Sequence, residues 1–483
     1  MDENSKQATA VILAAGDGTR LKSKLPKVLH PAAGRPLLCH VLEALEPLQL
    51  DRRVIVGSGR WKELRATAEE AGFTEGISYA VQEAPQGTGH AARVGLEALG
   101  PVQGVVLVLF GDTPLIETDT LYRMLDAHRA AQAGATILTA LLHDAAGYGR
   151  VVRGANDTVE RIVEENDATE AERRIQEING GVYVFDAALL TQMLAKIDRE
   201  NVQGEYYLTD VIRLLRSQDV PVVAVRTVGD ELSGVNNRSQ LAYVSGLIRH
   251  RVCERWMAEG VSIVDPRTTY IDSTVSIEQD AVIHPFTFLE GHTHVAEGAE
   301  VGPQTRIVDS HIGAGALVTV AVVRSSEIGP EAMVGPFASL RPGVKLARGA
   351  KLGTFVESKN STIGEGSKAP HLSYLGDADV GRGVNVGAGT ITCNWDGREK
   401  HRTIIEDDAY ISSDTMLVAP AHIGRRAATG AGAVVRGDVP DDALAVGMPA
   451  RILEGRGDLM GRRDAPRTKR AAPETAEEED DVM

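Results

Sequence analysis

The second half of the chain carries an aliphatic residue at nearly every sixth position, and the positions between are rich in Gly, Pro, Asp and Glu. A period of six fits neither a helix, which repeats near 3.6 residues, nor a single strand, which repeats at two. Hexads are typical of a parallel β-helix, in which three short strands form each triangular coil and each coil buries its apolar face against the next. The positions predicted to point inward are Ile271, Ile277, Ile283, Leu289, Val295, Val301 and Ile307, then Ile328, Val334, Leu340, Leu346 and Leu352, then Ile405, Ile411, Leu417, Ile423, Thr429 and Val435. A β-sandwich with accidental spacing is the alternative, but it does not explain three runs with one period.

The hexad rhythm is interrupted twice, at about residues 353–380 and at about 393–403. Interruptions in a solenoid usually mark loops that leave one face, often the binding face. Polar and aromatic residues, including His371, Tyr374 and Trp395, concentrate in and beside these stretches. We therefore expect protruding loops that carry the chemistry of this half.

The first half has short apolar runs separated by stretches with helical spacing. The runs are 10–13, 54–56, 105–110, 136–142, 182–185 and 222–225, and the helical stretches include 37–45, 61–71 and 121–131. Strands that alternate with helices predict an α/β domain with a largely parallel sheet. Ligands of such sheets bind at the carboxyl ends of the strands.

Composition and charge narrow the classes of function. The net charge of −16 argues against non-specific nucleic-acid binding. Cys39, Cys253 and Cys393 are far apart and form neither a metal-ligand pair nor a disulfide framework, which suits a reducing cytoplasm. The polar, acidic start is not a signal peptide, and no apolar run is long enough to cross a membrane. We expect a soluble, cytoplasmic protein with neither nucleic-acid nor membrane partners.

The first predicted strand runs directly into residues 13–20 (LAAGDGTR), which are followed by residues 26–30 (PKVLH). Small residues and two glycines let the backbone approach a ligand closely, and successive N–H groups can bind phosphates. Arg20 and Lys27 add positive charge where a triphosphate would carry negative charge. By itself this stretch is a weak signal, because a tight strand-to-helix turn has the same composition.

These two segments together resemble the signature of the sugar-1-phosphate nucleotidylyltransferases. The segments that follow have the order found in the bifunctional bacterial N-acetylglucosamine-1-phosphate uridylyltransferase/glucosamine-1-phosphate N-acetyltransferase family, which the chain resembles except at its two ends. They are Gln82 with 86–91 (QGTGHA), 110–112 (FGD), 147–150 (GYGR), 162–164 (IVE), 177–179 (EIN), 204–210 (GEYYLTD) and 234–238 (GVNNR).

The resemblance implies a domain order. An α/β, Rossmann-like nucleotidyltransferase domain (1–235) would be followed by a linker helix (236–260), where apolar residues recur at three- and four-residue steps. A left-handed parallel β-helix of hexapeptide repeats (261–455) would be the acetyltransferase domain. The charged tail (456–483) has almost no apolar content, so it is predicted to be disordered. Members of the family are homotrimers with the acetyl site between chains, and that assembly is implied here.

In the first domain the resemblance implies UMP transfer from UTP to N-acetylglucosamine-1-phosphate with release of pyrophosphate. The attacking phosphate is already an anion, so positioning and charge neutralisation carry the catalysis. Arg20 and Lys27 would neutralise the phosphates. Asp112 and Asn236 would hold Mg²⁺, which accepts a few protein oxygens besides phosphate and water. The residues implied to bind the nucleotide are Leu13, Ala14, Ala15, Gly16, Gln82, Gly87 and Thr88. Those implied to contact the N-acetylglucosamine part are Gly149, Glu164 and Asn179, and Asn236 is implied to contact substrate as well as the metal.

Three of these residues also have structural interpretations. Asp112 could cap a helix, Glu164 could belong to a solvated acidic run, and Asn179 could be a turn residue. Their occurrence in the family's order favours the functional interpretation. Phe110 stands where the family often has Tyr, a change that keeps the ring and removes a hydroxyl, so we expect little effect on the reaction.

In the second domain the resemblance implies acetyl transfer from acetyl-CoA to glucosamine-1-phosphate. A base must take a proton as the amine attacks the thioester, and histidine suits that role. His371 is the candidate, with Glu357 orienting or polarising it, although a lone histidine on a β-helix is more often a surface or packing residue. By the resemblance, Arg341, Lys359, Tyr374 and Asn385 would bind the sugar phosphate, and Ala388, Asn394, Trp395, Ser413 and Ala431 would line the acetyl-CoA groove.

The second domain departs from the family in two places. Trp395 replaces the usual Tyr, which keeps an aromatic wall and removes a hydroxyl. Residues 446–451 (VGMPAR) lack an Arg that some members carry there, so Arg451 or Arg456 would have to reach the coenzyme A phosphates.

Two rival functions stay open at this point. One is a nucleotidylyltransferase for another sugar-1-phosphate with a purely structural β-helix. The other is a non-catalytic scaffold built from the same two modules, against which the intact Arg20, Lys27 and Asp112 argue.

Overall fold

The computed structural model describes residues 7–16 and 18–456, which form two compact units that divide between Val252 and Cys253. Asp17 of the glycine-rich stretch lies outside the described residues. So does the proposed disordered tail beyond Arg456. Within the described ranges, no helix has the length and hydropathy that crossing a bilayer requires.

The first unit is a largely parallel sheet with helices on both sides, as the alternating pattern predicts. Its strands are β1 (Ala8–Leu13), β2 (Pro31–Ala32), β3 (Arg35–Pro36), β4 (Arg52–Gly57), β5 (Ile77–Val81), β6 (Val105–Phe110), β7 (Ala135–Leu141), β8 (Arg150–Arg153), β9 (Val159–Val163), β10 (Glu177–Asp186) and β11 (Val222–Arg226). Its helices are α1 (Leu37–Leu45), α2 (Trp61–Glu70), α3 (Thr88–Leu99), α4 (Thr118–Ala131), α5 (Glu170–Arg173), α6 (Ala187–Leu194) and α7 (Asp210–Arg216), and α8 (Arg238–Ala258) continues into the second unit. The main sheet has the order β11-β7-β10-β6-β1-β4-β5, in which β10 is antiparallel to both of its neighbours.

The alternation of side chains along β1 explains the layers of this unit. Ala8, Ala10 and Ile12 face the core formed with α1 and α4, while Val11 and Leu13 face the core formed with α3, α6 and α7. A strand that is buried on both sides has a continuous run of apolar residues in its sequence. Its carboxyl end therefore delivers the glycine-rich stretch to one edge of the sheet, where ligands of such folds bind.

The second unit is a prism of three sheets. The first face contains Ser262–Ile263, Val282–Ile283, Glu300–Val301, Leu317–Val318, Met333–Val334, Lys351–Thr354, Lys368–His371, Asn385–Val386, Tyr410–Ile411, Ala428–Thr429, Leu444–Gly447 and Ala450–Leu453. The second face contains Tyr270–Ile271, Phe288–Glu290, Arg306–Val308, Ala321–Arg324, Ala338–Leu340, Glu357–Lys359, Tyr374–Gly376, Ile391–Cys393, Met416–Val418 and Val434–Arg436. The third face contains Ser276–Ile277, His294–Val295, His311–Ile312, Glu327–Ile328, Lys345–Leu346, Thr362–Ile363, Ala378–Val380, Thr403–Ile405 and Ala421–Ile423. The last pair of the first face is antiparallel, whereas successive coils pair in parallel.

The hexad positions behave as predicted. Every residue of the three aliphatic runs is buried, and none is more than 5% exposed. Each coil places one of them on each face, so the apolar interior is continuous along the prism. This confirms the predicted fold class, an α/β domain followed by a left-handed parallel β-helix.

The prediction of a protruding loop at 353–380 is wrong. The coils continue through this stretch, with strands such as Lys351–Thr354 and Lys368–His371 paired in parallel. The aliphatic signal disappears because serines take inward positions: Ser358 and Ser367 are fully buried, and their hydroxyls donate to the carbonyls of Leu375 at 3.0 Å and Gly381 at 2.6 Å. Because these internal hydrogen bonds satisfy the hydroxyls, the prism keeps its shape without branched side chains there.

The second interruption is a true insertion. Ile391 pairs with Tyr374, 17 positions earlier, and with Met416, 25 positions later, so this coil is longer than its predecessor. The extra residues form the inserted loop, residues 394–402, in which Trp395 and Lys400 make an antiparallel bridge. This loop leaves the prism directly after the second face.

Candidate active sites

A cavity of about 240 Å³ lies at the carboxyl ends of β1, β5 and β6. We call it the nucleotide cavity, after the predicted residues that line it. All seven residues predicted to bind the nucleotide line it, together with Lys27 and Asp112. Glu205, in the 204–210 segment, also lines the cavity and was not assigned from the sequence. The structure thus brings together residues that lie far apart in the chain.

A larger cavity of about 560 Å³ lies between α3 and α6 and contains none of the predicted site residues. Its lining is mostly apolar, with Arg93 and Glu97 as its charged members. Chemistry on phosphates needs cations and backbone donors directed at one point. The smaller cavity offers both, so we regard it as the candidate site.

The glycine-rich stretch offers fewer free N–H groups than its sequence suggests. The Ala14 N–H extends the sheet by donating to the Val56 carbonyl at 2.8 Å, which leaves the next residues, Ala15 and Gly16, to face the cavity. Gly18 has a φ of 61°, and a Cβ there would lie 2.7 Å from the Lys27 Cβ. A glycine is therefore required for the Lys27 side chain to pass along this loop into the cavity.

Four of the predicted catalytic and metal-binding residues form one network. The Lys27 ammonium forms an ion pair with Asp112 and donates to Asn236 Oδ1 at 3.2 Å, and Arg20 donates to the same oxygen at 3.0 Å. Val235 donates its N–H to the Asp112 carbonyl at 3.0 Å, which holds the 235–236 segment against the end of β6. Asp112 does not cap a helix, because α4 begins only at Thr118.

The three residues predicted to contact the sugar also lie together. The Asn179 N–H donates to the Gly149 carbonyl at 2.8 Å, and a Cβ on Gly149 would lie 3.4 Å from Glu164 Oε2. Glu164 is half-buried and accepts a hydrogen bond from the Thr209 hydroxyl at 2.9 Å. Burial raises the pKa of the Glu164 carboxyl. This excludes the interpretation of Glu164 as part of a solvated acidic surface.

Asn179 is held from both ends of its amide. Its Nδ2 donates to the hydroxyl of the buried Tyr183 at 2.7 Å, and its Oδ1 accepts from the Gly181 N–H at 3.3 Å. The second contact is the turn-like one expected of such a residue, so its structural and functional interpretations coexist. A Cβ on Gly181, whose φ is 72°, would lie 2.6 Å from the Phe110 ring. The ring of Phe110 therefore packs on Gly181, which fits the expectation that the missing hydroxyl matters little.

On the prism, three of the four predicted sugar-phosphate residues lie on or directly after consecutive strands of the second face, and they are Arg341, Lys359 and Tyr374. Glu357 pairs with Tyr374 in the adjacent coil, and the Arg341 guanidinium donates to Glu357 Oε1 at 3.1 Å. Among the described residues, Glu357 makes no hydrogen bond with His371. Within one chain the Arg341 guanidinium occupies the Glu357 carboxylate and His371 belongs to a different face, so the orienting or polarising role of Glu357 stays a prediction.

Lys359 has a cationic neighbour that the sequence did not reveal. Lys400 of the inserted loop lies beside it, and that ammonium, followed by the charge of Arg341, lowers the pKa of Lys359. Such a concentration of positive charge favours a dianionic ligand. Arg341, Lys359 and Lys400 together therefore suit a phosphate.

Asp377 lies beside this group of cations. Its carboxylate accepts from Asn360 Nδ2 at 2.6 Å and from Asn394 Nδ2 at 2.5 Å. Burial alone would raise the pKa of Asp377, but these two bonds and the nearby lysines keep it below its ordinary value. The Asn394 side chain is thus directed to Asp377 and not outward, unlike the exposed Trp395 that follows it.

His371 is exposed and ends the strand Lys368–His371, directly before the corner at Leu372, where φ is 32°. It is not on a protruding loop, as the sequence had suggested. Asn385 lies half-buried in the next coil of the same face. His371 therefore stands at the edge between the first and second faces, and Tyr374 begins the strand beyond that corner.

Three of the residues predicted to line the acetyl-CoA groove share the position of His371 in later coils. Residues in this column each precede a corner residue of positive φ, and they are His371, Ala388, Ser413 and Ala431, before Leu372, Gly389, Asp414 and Gly432. The side chains that follow His371 in this column are small, which leaves room for a groove along the corner. An extended thioester chain could lie along such a groove with its reactive end at the histidine. Arg451 and Arg456, the alternatives for the coenzyme A phosphates, are both exposed.

These features define a class: a nucleotidyltransferase domain joined to a hexapeptide-repeat acyltransferase domain. The family model described as "Nucleotidyl transferase" matches residues 9–231. Proteins named "Bifunctional protein GlmU" are similar over nearly the whole chain. The protein of Streptomyces coelicolor is 49% identical, with 93% of this chain and 94% of the relative covered. That of Brevibacillus brevis is 44% identical (92% and 95%), and that of Halalkalibacterium halodurans is 46% identical (90% and 95%). The chain belongs to the GlmU family of bifunctional proteins.

Proposed function

We propose that the two sites described above act in succession on one aminosugar. The chain is an enzyme of UDP-N-acetylglucosamine synthesis with acetyltransferase and uridylyltransferase activities. The meeting of Lys27 and Asp112 in a cavity lined by all seven predicted nucleotide-binding residues carries the assignment of the uridylyl site. We assign uridylyl transfer to residues 1–235 and acetyl transfer to residues 261–455, with the helix between them as linker.

In uridylyl transfer, a phosphate oxygen of N-acetylglucosamine-1-phosphate attacks the α-phosphorus of UTP, and the bond to pyrophosphate breaks. No base is needed, because the nucleophile is already an anion. Arg20 and Lys27 neutralise the charge of the phosphates, and the N–H groups of the glycine-rich stretch bind their oxygens. Gln82, Gly87 and Thr88 hold the nucleoside, while Gly149, Glu164 and Asn179 hold the sugar.

Asp112 and Asn236 fit a magnesium ion. A carboxylate and an amide oxygen are hard donors of the kind that Mg²⁺ prefers, and few protein ligands suffice when phosphates and water complete the shell. Both side chains now face Lys27, so a cation already occupies the position to which they point. When bound, Mg²⁺ would supply charge stabilisation to the phosphates. The chain's own contribution is to hold these oxygens beside Lys27.

Replacing Glu164 with Gln should weaken sugar binding, and it should change the thermal stability of the protein in a way that depends on pH. We expect KM for N-acetylglucosamine-1-phosphate to rise about tenfold or more, because a charged acceptor is lost, while KM for UTP stays unchanged. The folded pKa of Glu164 lies above its unfolded value, so the stability it contributes is present at low pH and lost as the pH rises through the folded pKa. The variant should therefore melt at a higher temperature than the parent at pH 8, and the difference should shrink as the pH falls toward 4.5.

Steady-state kinetics and thermal unfolding at several pH values check this prediction. Glu165→Gln is the matched control, since Glu165 is adjacent and pairs with Arg150. An unchanged sugar KM in Glu164→Gln would remove Glu164 from the sugar site.

In acetyl transfer, the amine of glucosamine-1-phosphate attacks the thioester carbonyl of acetyl-CoA, the C–S bond breaks, and coenzyme A leaves as its thiol. His371 takes the proton that the amine loses and returns it to the departing sulfur. Arg341, Lys359 and Lys400 bind the sugar phosphate, with Tyr374 and Asn385 beside them. The coenzyme lies along the column of Ala388, Ser413 and Ala431, next to Asn394 and Trp395. Glu357 acts through its ion pair with Arg341.

We also propose that the chain is a homotrimer whose copies cover one apolar corner of the prism. Phe337 and Phe355 stack at that corner with centroids 5.3 Å apart and are 57% and 59% exposed, and Leu372 continues the column at 61%. All three lie directly beside the column of His371. A large exposed apolar patch next to a functional residue favours coverage by another chain.

Replacing Phe355 with Asn should dissociate this assembly without unfolding the prism. The φ of Phe355 is 59°, a conformation that Asn adopts more readily than Phe, so the fold should tolerate the change. We expect a smaller particle in light scattering, loss of acetyl transfer and unchanged uridylyl transfer. Val202→Asn, at an exposed apolar position of the first unit, is the control and should change neither property. A wild-type protein that is monomeric would contradict the proposal.

Assaying the two half-reactions separately tests the functional assignment. With UTP and N-acetylglucosamine-1-phosphate, the enzyme should release pyrophosphate, and with glucosamine-1-phosphate and acetyl-CoA it should release coenzyme A. Release of pyrophosphate without coenzyme A would favour a structural β-helix, and release of neither product would favour a scaffold.

We further propose a cytoplasmic location and no nucleic-acid partner. The three free cysteines support the first proposal, and the net charge of −16 supports the second.

A further inference from the structure

Gln82 has both amide hydrogens committed within the protein. It follows β5, lines the nucleotide cavity and is only 6% exposed. Its Nε2 donates to the Gly87 carbonyl at 3.2 Å and lies 2.9 Å from His90 Nδ1. Because an amide nitrogen cannot accept a hydrogen bond, His90 Nδ1 must be the acceptor. The only Gln82 group left for a ligand is Oε1, and it can only accept.

His90 is the third residue of α3 and is half-buried. Arg93 and Glu97 of its own helix act on its charge, and the Tyr206 ring of the facing segment lies 6.4 Å away between centroids. The Arg199 guanidinium lies 5.7 Å from that Tyr206 ring, and Glu83 and Glu205 are the chain neighbours of Gln82 and Tyr206. Burial, and then the charge of Arg93, lowers the pKa of His90 below 6.5. At neutral pH the ring is therefore uncharged and Nδ1 can accept, whereas protonation would make Nδ1 a donor.

We infer that His90 is a positioning residue that sets the base specificity of the nucleotide cavity by holding Gln82 Oε1 toward the base. The inference rests on the proposed nucleotide-binding role of Gln82. The uracil ring of UTP has a single N–H donor, at N3, which matches a group that can only accept. Cytosine has an acceptor at N3, so a fixed oxygen there opposes another lone pair. If the amide group could rotate by a half-turn, its Nε2 could donate a hydrogen bond to N3 of cytosine, and the preference for uracil would be lost.

Two substitutions of His90 separate positioning from packing. His90→Phe keeps a ring and removes the acceptor, so the ratio of kcat/KM for UTP to that for CTP should fall about 5- to 10-fold. His90→Asn places an acceptor oxygen near the position of Nδ1 and should keep the ratio close to that of the parent. The thermal unfolding temperature of the same proteins reports on folding and should be unchanged in both.

The pH dependence of the same ratio provides a readout that packing would not move. In the parent, the preference for UTP should be constant above pH 6.5 and should fall below it, as protonated His90 ceases to accept. His90→Asn should show a flat profile, because its acceptor does not titrate. Effects of pH on the phosphates cancel, since UTP and CTP carry the same triphosphate.

The outcomes distinguish failure of this inference from failure of the proposed site. If Gln82→Ala leaves the preference for UTP intact, Gln82 does not read the base and both proposals fail at this residue. If Gln82→Ala abolishes the preference and His90→Phe does not, only the positioning role of His90 is overturned. An equal loss of activity with both nucleotides in His90→Phe would mean that His90 is merely structural.

Discussion

Replacing His371 with Ala should lower kcat/KM for acetyl transfer about 10²- to 10⁴-fold and leave uridylyl transfer at the parental rate. The reason is local: the substrate amine must lose a proton as it attacks the thioester, and His371 is an exposed base at the head of the small-residue column. The change should not weaken the fold, because the prism is held by inward residues and His371 points to solvent. Release of coenzyme A, followed with a thiol reagent, measures the effect.

A second histidine, half-buried on another face, provides the control for this experiment. His422 lies on the third face, paired with Glu406 at 3.1 Å, and His422→Ala should not affect either reaction. Acetyl transfer that survives in His371→Ala would show that another group takes the proton. It would also favour the alternative in which the β-helix is purely structural.

Replacing Lys27 with Met should lower kcat/KM for uridylyl transfer about 10²- to 10³-fold while acetyl transfer continues. Met keeps the unbranched stem that packs beside Gly18 and removes only the ammonium that faces Asp112 and Asn236. The loss therefore reports on charge at the phosphates and not on packing. Pyrophosphate release measures it, and Lys62→Met, on the exposed side of α2, is the control. Equal loss of both reactions in Lys27→Met would point to misfolding instead.

The fold was accessible from sequence wherever one physical signal dominated. The strands β1 and β6 have continuous apolar runs because they are buried on both sides. Ile271 and the later inward residues recur every six positions because each strand of the prism places one side chain in its interior. The signal failed at 353–380, where Ser358 and Ser367 turn inward and satisfy their hydroxyls internally. A buried serine and a loop serine look the same in a sequence, so continuing coils were mistaken for a loop.

The nucleotide cavity was predictable because its residues cluster at strand ends that a parallel sheet places at one edge. Thr209 and Lys400 were missed, since nothing local marks a hydroxyl that bonds Glu164 or an ammonium that lies beside Lys359. Tyr183 was missed for another reason: a buried aromatic in a strand is indistinguishable from core until its hydroxyl meets Asn179. The role predicted for Glu357 beside His371 stays a prediction: the two residues lie on different faces of the prism, and the sequence does not reveal on which face a residue lies.

Mixing the two inactive variants tests the central claim of two separate sites that act in sequence. Supplied with glucosamine-1-phosphate, acetyl-CoA, UTP and Mg²⁺, neither His371→Ala nor Lys27→Met should form UDP-N-acetylglucosamine at an appreciable rate. An equal mixture should form it, because the first product can pass from one protein to the other through solution. If the mixture makes no nucleotide sugar while the parent does, or if either variant alone matches the parent, the account of two independent sites is wrong.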